Sequence, residues 1–249
     1  MVTIRTSKWI APFCLAAVLP LPLAADSPIE EMIADQRARR SPAAPAALAN
    51  GVGIVCPPGT GAAEFHLADF EVDDGGWVES GFGDWERGGV TTGVWELCDA
   101  TPRPEPAGVF NGAAVMGTNL DGCYQNSGQD SSLSQTFDFS TLAAPIALEW
   151  AHWYEVFMTF DRADVFVEGV SEYFVPDSTP TADWLPQVVD LSAYAGMPAI
   201  DIEFRLHATT VVNRMGWYLD DVRILYCTAD IFADGFETGD TTRWSNSLP

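Results

Sequence analysis

Lysine is almost missing from this chain. Among 249 residues the only one is Lys8, and 12 basic residues face 35 acidic ones for a formal net charge of −23. Without lysine past position 8, Schiff-base and Ser–Lys chemistry have no nucleophile. So acidic a chain is repelled by nucleic acid and by anionic membrane, which excludes both as partners. Three hydrolytic or nucleotide signatures are also absent: His-Glu-x-x-His, Gly-x-Ser-x-Gly and the phosphate-binding Gly-Lys-Ser/Thr. No Cys-x-x-Cys pair occurs, which argues against a thiolate zinc site. His66, His152 and His207 all fall in strand-like stretches, where a histidine is more often structural than catalytic. Acid pairs are plentiful, and a glycosidase needs only two carboxylates about 5–10 Å apart. A secreted hydrolase of that kind is therefore the alternative to a chain without catalysis, and a purely structural envelope protein is a third reading.

At the front of the chain, Arg5 and Lys8 precede an apolar run from Trp9 to Leu23, and Ala24-Ala25 follows as a small-residue cleavage site. This pattern predicts a secretory signal over residues 1–25; Pro12, Pro20 and Pro22 break the run too often for a membrane span. Cys14 lies inside the run and is no lipidation site. Loss of Arg5 and Lys8 with the signal takes the net charge from −23 to −25. Residues 28–40 have the composition of a short helix, and SPAAPAALAN at 41–50 that of a Pro/Ala linker. One domain is expected over residues 51–227, long enough for its own core. A tail over 228–249 follows.

Four cysteines remain after the signal: Cys56, Cys98, Cys123 and Cys227. An even count in an exported chain implies two disulfides, for which three pairings exist. Cys98–Cys123, closing a local loop, and Cys56–Cys227, tying the domain ends, are favoured. Loop entropy gives them about 3–4 and about 5 kcal/mol.

Within the domain the apolar period is two. In PIALEWAHWYEVF, Ile146, Leu148, Trp150, His152 and Tyr154 share one face. In AIDIEFRLHA, Ile200, Ile202, Phe204 and Leu206 alternate with Asp201, Glu203, Arg205 and His207. Such alternation predicts half-buried strands. Others are expected near 64–71, 91–97, 109–116, 132–139, 163–168, 186–190 and 215–226. Many short strands without a sustained helix indicate an all-β fold, an antiparallel β-sandwich of jelly-roll type. Trp77, Trp85, Trp150, Trp153 and Trp217 are read as packing residues. Trp95 and Trp184 are the candidates for an exposed sugar-stacking ring.

Seven segments in order carry a resemblance: DFEVDDGGW at 69–77, GDWERG at 83–88, MGTNLDGCYQNSGQDSSLSQTFDFS at 116–140, LEWAHWYE at 148–155, ADVFVEG at 163–169, WLPQVVDLSAYAGMPAIDIEFRL at 184–206 and GWYLDDVRI at 216–224. Together they resemble the accessory jelly-roll domain of secreted immune-inhibitor-A-type metalloproteases, to which MAM and cleaved-adhesin domains are related. No zincin catalytic domain is present in this chain, so the resemblance implies a non-catalytic module. It also implies that the first and last strands are neighbours, which would bring Asp69 and Glu71 near Asp220 and Asp221. Carboxylates gathered in this way suit Ca²⁺, which takes 6–8 oxygens, and related modules carry such a site. Asp121 in the TNLDG loop is a weaker ligand candidate, and an ion network through Arg223 or Arg214 is the alternative role for these acids.

The end of the chain, DIFADGFETGDTTRWSNSLP, loosely echoes LADFEVDDGGWVE. It is similar to tails of the DGFESGD type found on exported proteins of gamma-proteobacteria. That similarity implies a label read by sorting machinery through Phe232, Phe236 and Trp244, and export from a Gram-negative cell. The expected protein is therefore a secreted or cell-surface module that binds carbohydrate or a surface protein, without inserting into a membrane.

Overall fold

The computed structural model describes residues 53–90, 96–98, 101–104, 106–176 and 183–229. The signal and linker readings, Trp95, and the tail residues Phe232, Phe236 and Trp244 lie outside them.

Glycine, proline, asparagine and aspartate cut the chain into short strands, as the period-two pattern requires. In order these are β1 (Thr60–Ala68), β2 (Val78–Gly81), β3 (Trp85–Gly88), β4 (Glu96–Cys98), β5 (Thr101–Arg103), β6 (Val115–Thr118) and β7 (Gln129–Phe137). There follow β8 (Ile146–Glu155), β9 (Arg162–Val167), β10 (Val170–Phe174), β11 (Leu185–Asp190), β12 (Ile200–Ala208) and β13 (Gly216–Ala229). Among the described residues one 3₁₀ turn is found, at Ser192–Tyr194. The first sheet runs β11-β8-β13-β6-β3, with β1 also on β13; the second runs β10-β9-β12-β7-β2; β4 and β5 form a separate hairpin. Every pairing within the two sheets is antiparallel. The fold is the expected antiparallel sandwich of jelly-roll type.

Alternation decides what lies between the sheets. Leu148, Trp150, His152 and Tyr154 of β8 and Trp217 and Leu219 of β13 point inward, against Leu133 of β7, Val165 of β9 and Ile202 and Phe204 of β12. Phe204 packs edge-on against Trp150 at 5.5 Å and Trp217 at 5.6 Å. Trp77 and Trp85 are buried in the same core, as expected.

β8 departs from the half-buried expectation: all ten of its residues are buried. At the Trp153 end its second face is covered by a smaller apolar cluster of Tyr218, Val115, Leu120 and Met215, to which the β4–β5 hairpin contributes Cys98. That hairpin is held by the Cys98–Cys123 disulfide and by Arg103 Nη1 on Glu155 Oε1 at 3.1 Å. Cys56–Cys227 is the second bridge, so the pairing favoured from the sequence is the one formed.

Several strand expectations change. Near 109–116 only Val115–Thr118 is strand, because Asn111-Gly112 turns the chain and Gly112 sits at φ +64°. Of 91–97, only residues 96 and 97 belong to a described strand, β4. β2, β3, β5 and β10 were not anticipated. β2 is exposed at all four positions, so it carries no alternation to read.

β13 is 14 residues long and outlasts its partners. Its first half pairs with β6 (Tyr218↔Gly117) and its second with β1 (Ala68↔Val222). Where the partner changes, the register with β8 shifts between Asp220 and Arg223, and Asp221 takes φ +48°. This bulge lies beside the site described next.

Candidate functional site

A cavity of about 420 Å³ opens on the outer face of the first sheet. Register places its residues in rows. Pro186 of β11 lies beside Ala151 of β8, and Val188 lies beside Glu149, which in turn lies beside Arg223 of β13. Phe110 and Asp221 add side chains to the lining, and Gly53 and Gln187 their backbone, since register puts the Gln187 side chain on the Trp150 face of the sheet.

Glu149 is only 5% exposed and therefore needs partners. Its Oε2 accepts from Arg223 Nε at 3.0 Å and Nη2 at 2.8 Å, and its Oε1 accepts from the Ile54 backbone N–H at 2.9 Å. The segment leading into β1 is thus tied across the sheet. A Cβ at Gly53 would stand 3.0 Å from Glu149 Oε1, so a larger side chain there presses on this acid.

Phe110 is the exposed aromatic of the groove, at 47%. Its ring centroid lies 6.2 Å from that of Trp184, whose indole N–H donates to the Gly108 carbonyl at 2.8 Å. Two carboxylates hold the loop that carries Phe110. Asp220, fully buried, accepts from the Asn111 N–H at 3.0 Å and from the Asp221 N–H at 2.8 Å. Glu71 Oε1 accepts from the N–H groups of Ala113 at 2.8 Å and Ala114 at 3.1 Å. Glu71 comes so close that a Cβ at Gly112, itself at φ +64°, would meet its Oε1 at 2.1 Å, so a larger residue there would strain the turn and displace the Glu71 carboxylate. The two N–H bonds hold the Glu71 carboxyl below the ordinary glutamate range. Burial outweighs the same kind of bond at Asp220 and pushes its pKa up to about 7.

The end of β1 that leads to Asp69 and Glu71 lies beside the β13 bulge that carries Asp220 and Asp221, with Ala68 opposite Val222, as neighbouring first and last strands imply. Asp121 is not with them; it sits in the turn past the other end of β6, two residues from Cys123. The two roles expected for these acids were a calcium site and an ion network through Arg223 or Arg214. In this arrangement backbone N–H groups compensate Asp220, Arg223 pairs with Glu149, and Arg214 lies over the Phe157 ring at 4.6 Å. Among the described residues, no three His, Cys, Asp or Glu side chains are gathered closely enough to hold a metal ion. Glu71 Oε2 and Asp69 Oδ2 accept no hydrogen bond from the described residues, so a cation fits here only if these acids close in around it.

Of the two stacking candidates, Trp184 is half-buried at the edge of the groove and supports Phe110; Trp95 lies outside the described residues. Phe110, Gln187 and Glu149 had not been singled out. The outward place of Glu149 was legible in the alternation of LEWAHWYE. The exposure of Phe110 was not, because it depends on two acids 39 residues before it and 110 after it, at 71 and 220.

No family model matches the chain. It is 32% identical over 162 residues to Bacillopeptidase F of Bacillus subtilis (strain 168), a match covering 62% of this chain and 10% of that protein. The chain thus spans about a tenth of the length of that relative. Among solved structures, the K2 cleaved adhesin domain of Lys-gingipain aligns at 14% identity over 64% of this chain and 96% of its own, with a TM-score of 0.38. TmCBM61 in complex with β-1,4-galactotriose aligns at 14% identity over 65% of this chain and 91% of its own, with a TM-score of 0.36.

Proposed function

We propose that this chain is an extracellular, non-catalytic module that holds carbohydrate in the groove of the first sheet. The observation that carries the reading is Phe110: an exposed ring beside Glu149, Arg223 and Asp221. An aromatic face covers the apolar face of a sugar, while planar carboxylate and guanidinium groups bond its hydroxyls. The signal-like start and the two disulfides support an extracellular location. Paired-carboxylate hydrolysis suits the groove poorly. Glu149 is locked by Arg223 and Ile54, which leaves Asp221 as the one lining acid outside that network.

Affinity electrophoresis of the full chain against neutral and charged polysaccharides tests this reading. We expect retention in at least one gel, and a loss of about tenfold in affinity for Phe110→Ala at unchanged melting temperature, the scale of one aromatic contact. Equal binding by Phe110→Ala would move the site elsewhere; no retention in any gel would remove carbohydrate.

Calcium belongs to this proposal as a brace for the Phe110 loop, held through the free oxygens of Asp69 and Glu71 and leaving the Asp221 carboxylate to the groove. A ligand at 100 times its Kd adds about 2.7 kcal/mol, so calcium should raise the melting temperature by several degrees and chelator should reverse it. An unchanged melting curve would leave these acids as N–H acceptors alone.

A further inference from the structure

We infer that the groove selects a glycan bearing a free amino group, an amino sugar in its ammonium form, through the Asp221 carboxylate. The inference rests on the carbohydrate reading above and narrows it.

Charge within the groove motivates it. Glu149 and Arg223 neutralise each other across bonds of 3.0 and 2.8 Å. Asp221 has no hydrogen-bonding or ionic partner for its carboxylate among the described residues, so the lining keeps one uncompensated negative charge. The bulge puts it there. At φ +48° the residue leaves the regular ladder between Asp220 and Arg223, and aspartate tolerates this conformation better than most side chains. Asp220, buried beside it, adds nothing cationic. The face of Phe110 adds a second attraction, since an aromatic quadrupole draws a cation as well as an apolar sugar face. Uronic or sulfated units meet the opposite conditions: an acidic rim on a chain of net charge −23. A cavity of about 420 Å³ is at the small end of ligand sites, which suits a short unit rather than a long extended chain.

Calorimetry with the full chain decides the matter, using a glucosamine oligomer, the N-acetylated oligomer of equal length, and a neutral glucan. Asp221→Asn removes the charge and keeps a residue that accepts the left-handed backbone. The glucosamine oligomer should bind roughly five- to tenfold more tightly than its N-acetylated counterpart. Asp221→Asn should erase that difference, read as the ratio of the two affinities within the variant and not as either affinity alone. Equal affinities in the parent, or a preference that survives Asp221→Asn, would overturn the ammonium inference and leave the carbohydrate reading intact. Binding of the glucan alone would do the same. Failure of every glycan would overturn both.

Discussion

Replacing Cys56 and Cys227 together by alanine is expected to lower the free energy of unfolding by about 5 kcal/mol, against about 3–4 kcal/mol for the Cys98/Cys123 pair. The difference comes from the loops: the first bridge joins residues 171 apart, the second only 25 apart. A longer closed loop removes more freedom from the unfolded chain. The first bridge also has a local effect. Cys227 lies opposite Ala62 in the β1–β13 ladder, and Cys56 precedes the turn into β1, so the bridge pins the segment that carries Gly53 and Ile54. Without it, the bond from the Ile54 N–H to Glu149 loses its tether and glycan affinity should fall as well. The Cys98/Cys123 variant instead loosens the hairpin over Trp153 and Tyr218. Denaturant titrations of both variants under oxidising conditions check this. A Cys56/Cys227 variant no less stable than its counterpart would refute the loop argument.

Acid should destabilise the protein through His152. This residue is fully buried on the inner face of β8, ringed by Trp150, Tyr154, Tyr173 and Trp217. Its Nδ1 accepts the Trp217 indole N–H at 3.0 Å, which places its own proton on Nε2. Burial pushes its pKa down to about 3, from an ordinary 6.5. The sign follows from linkage. Below pH 6.5 the unfolded chain takes up a proton that the folded one refuses until about pH 3, so stability is lost as pH falls through that window. The loss approaches about 1.4 kcal/mol for each pH unit. His66, lowered by burial, acts in the same direction. Asp220, Glu155 and Asp84, raised mainly by burial, act oppositely: the folded state binds their protons first and gains as pH falls. A difference measurement separates these effects. Relative to His152→Phe, the parent should lose roughly tenfold in its folded-to-unfolded ratio per pH unit between about 6 and 4. At neutral pH the variant carries a constant penalty of about 1–3 kcal/mol for the stranded Trp217 N–H. Parallel stability curves would show that His152 does not carry the acid response.

Some of this was written in local patterns. The alternation in PIALEWAHWYEVF and AIDIEFRLHA placed β8 and β12 and put Trp150, Ile202 and Phe204 in the core, because a strand exposes successive side chains to opposite sides. β2 gave no such signal, since all four of its residues are exposed. In GWYLDDV the burial of one acid, Asp220, beside the half-exposed Asp221 is a tertiary outcome. Alternation alone could not show it, because a register shift and the left-handed turn at Asp221 break the alternation there.

Composition, charge and period two determined by themselves that the chain makes an acidic, disulfide-stapled β-sandwich. These properties depend on residue types and near neighbours, which are local in the sequence. Only the tertiary structure decided which face carries a site. The outer face of β8 is closed at one end by a hairpin from residues 96–103 and open over Ala151 and Glu149, a difference set by segments far from β8 in the chain. The exposed ring of Phe110, the Arg223 partner of Glu149 and the unpaired charge of Asp221 all arise where β1, β8, β13 and the 108–114 loop meet. Each pairing there joins residues tens of positions apart, so the packing of the folded chain, rather than any short stretch of it, brings them together.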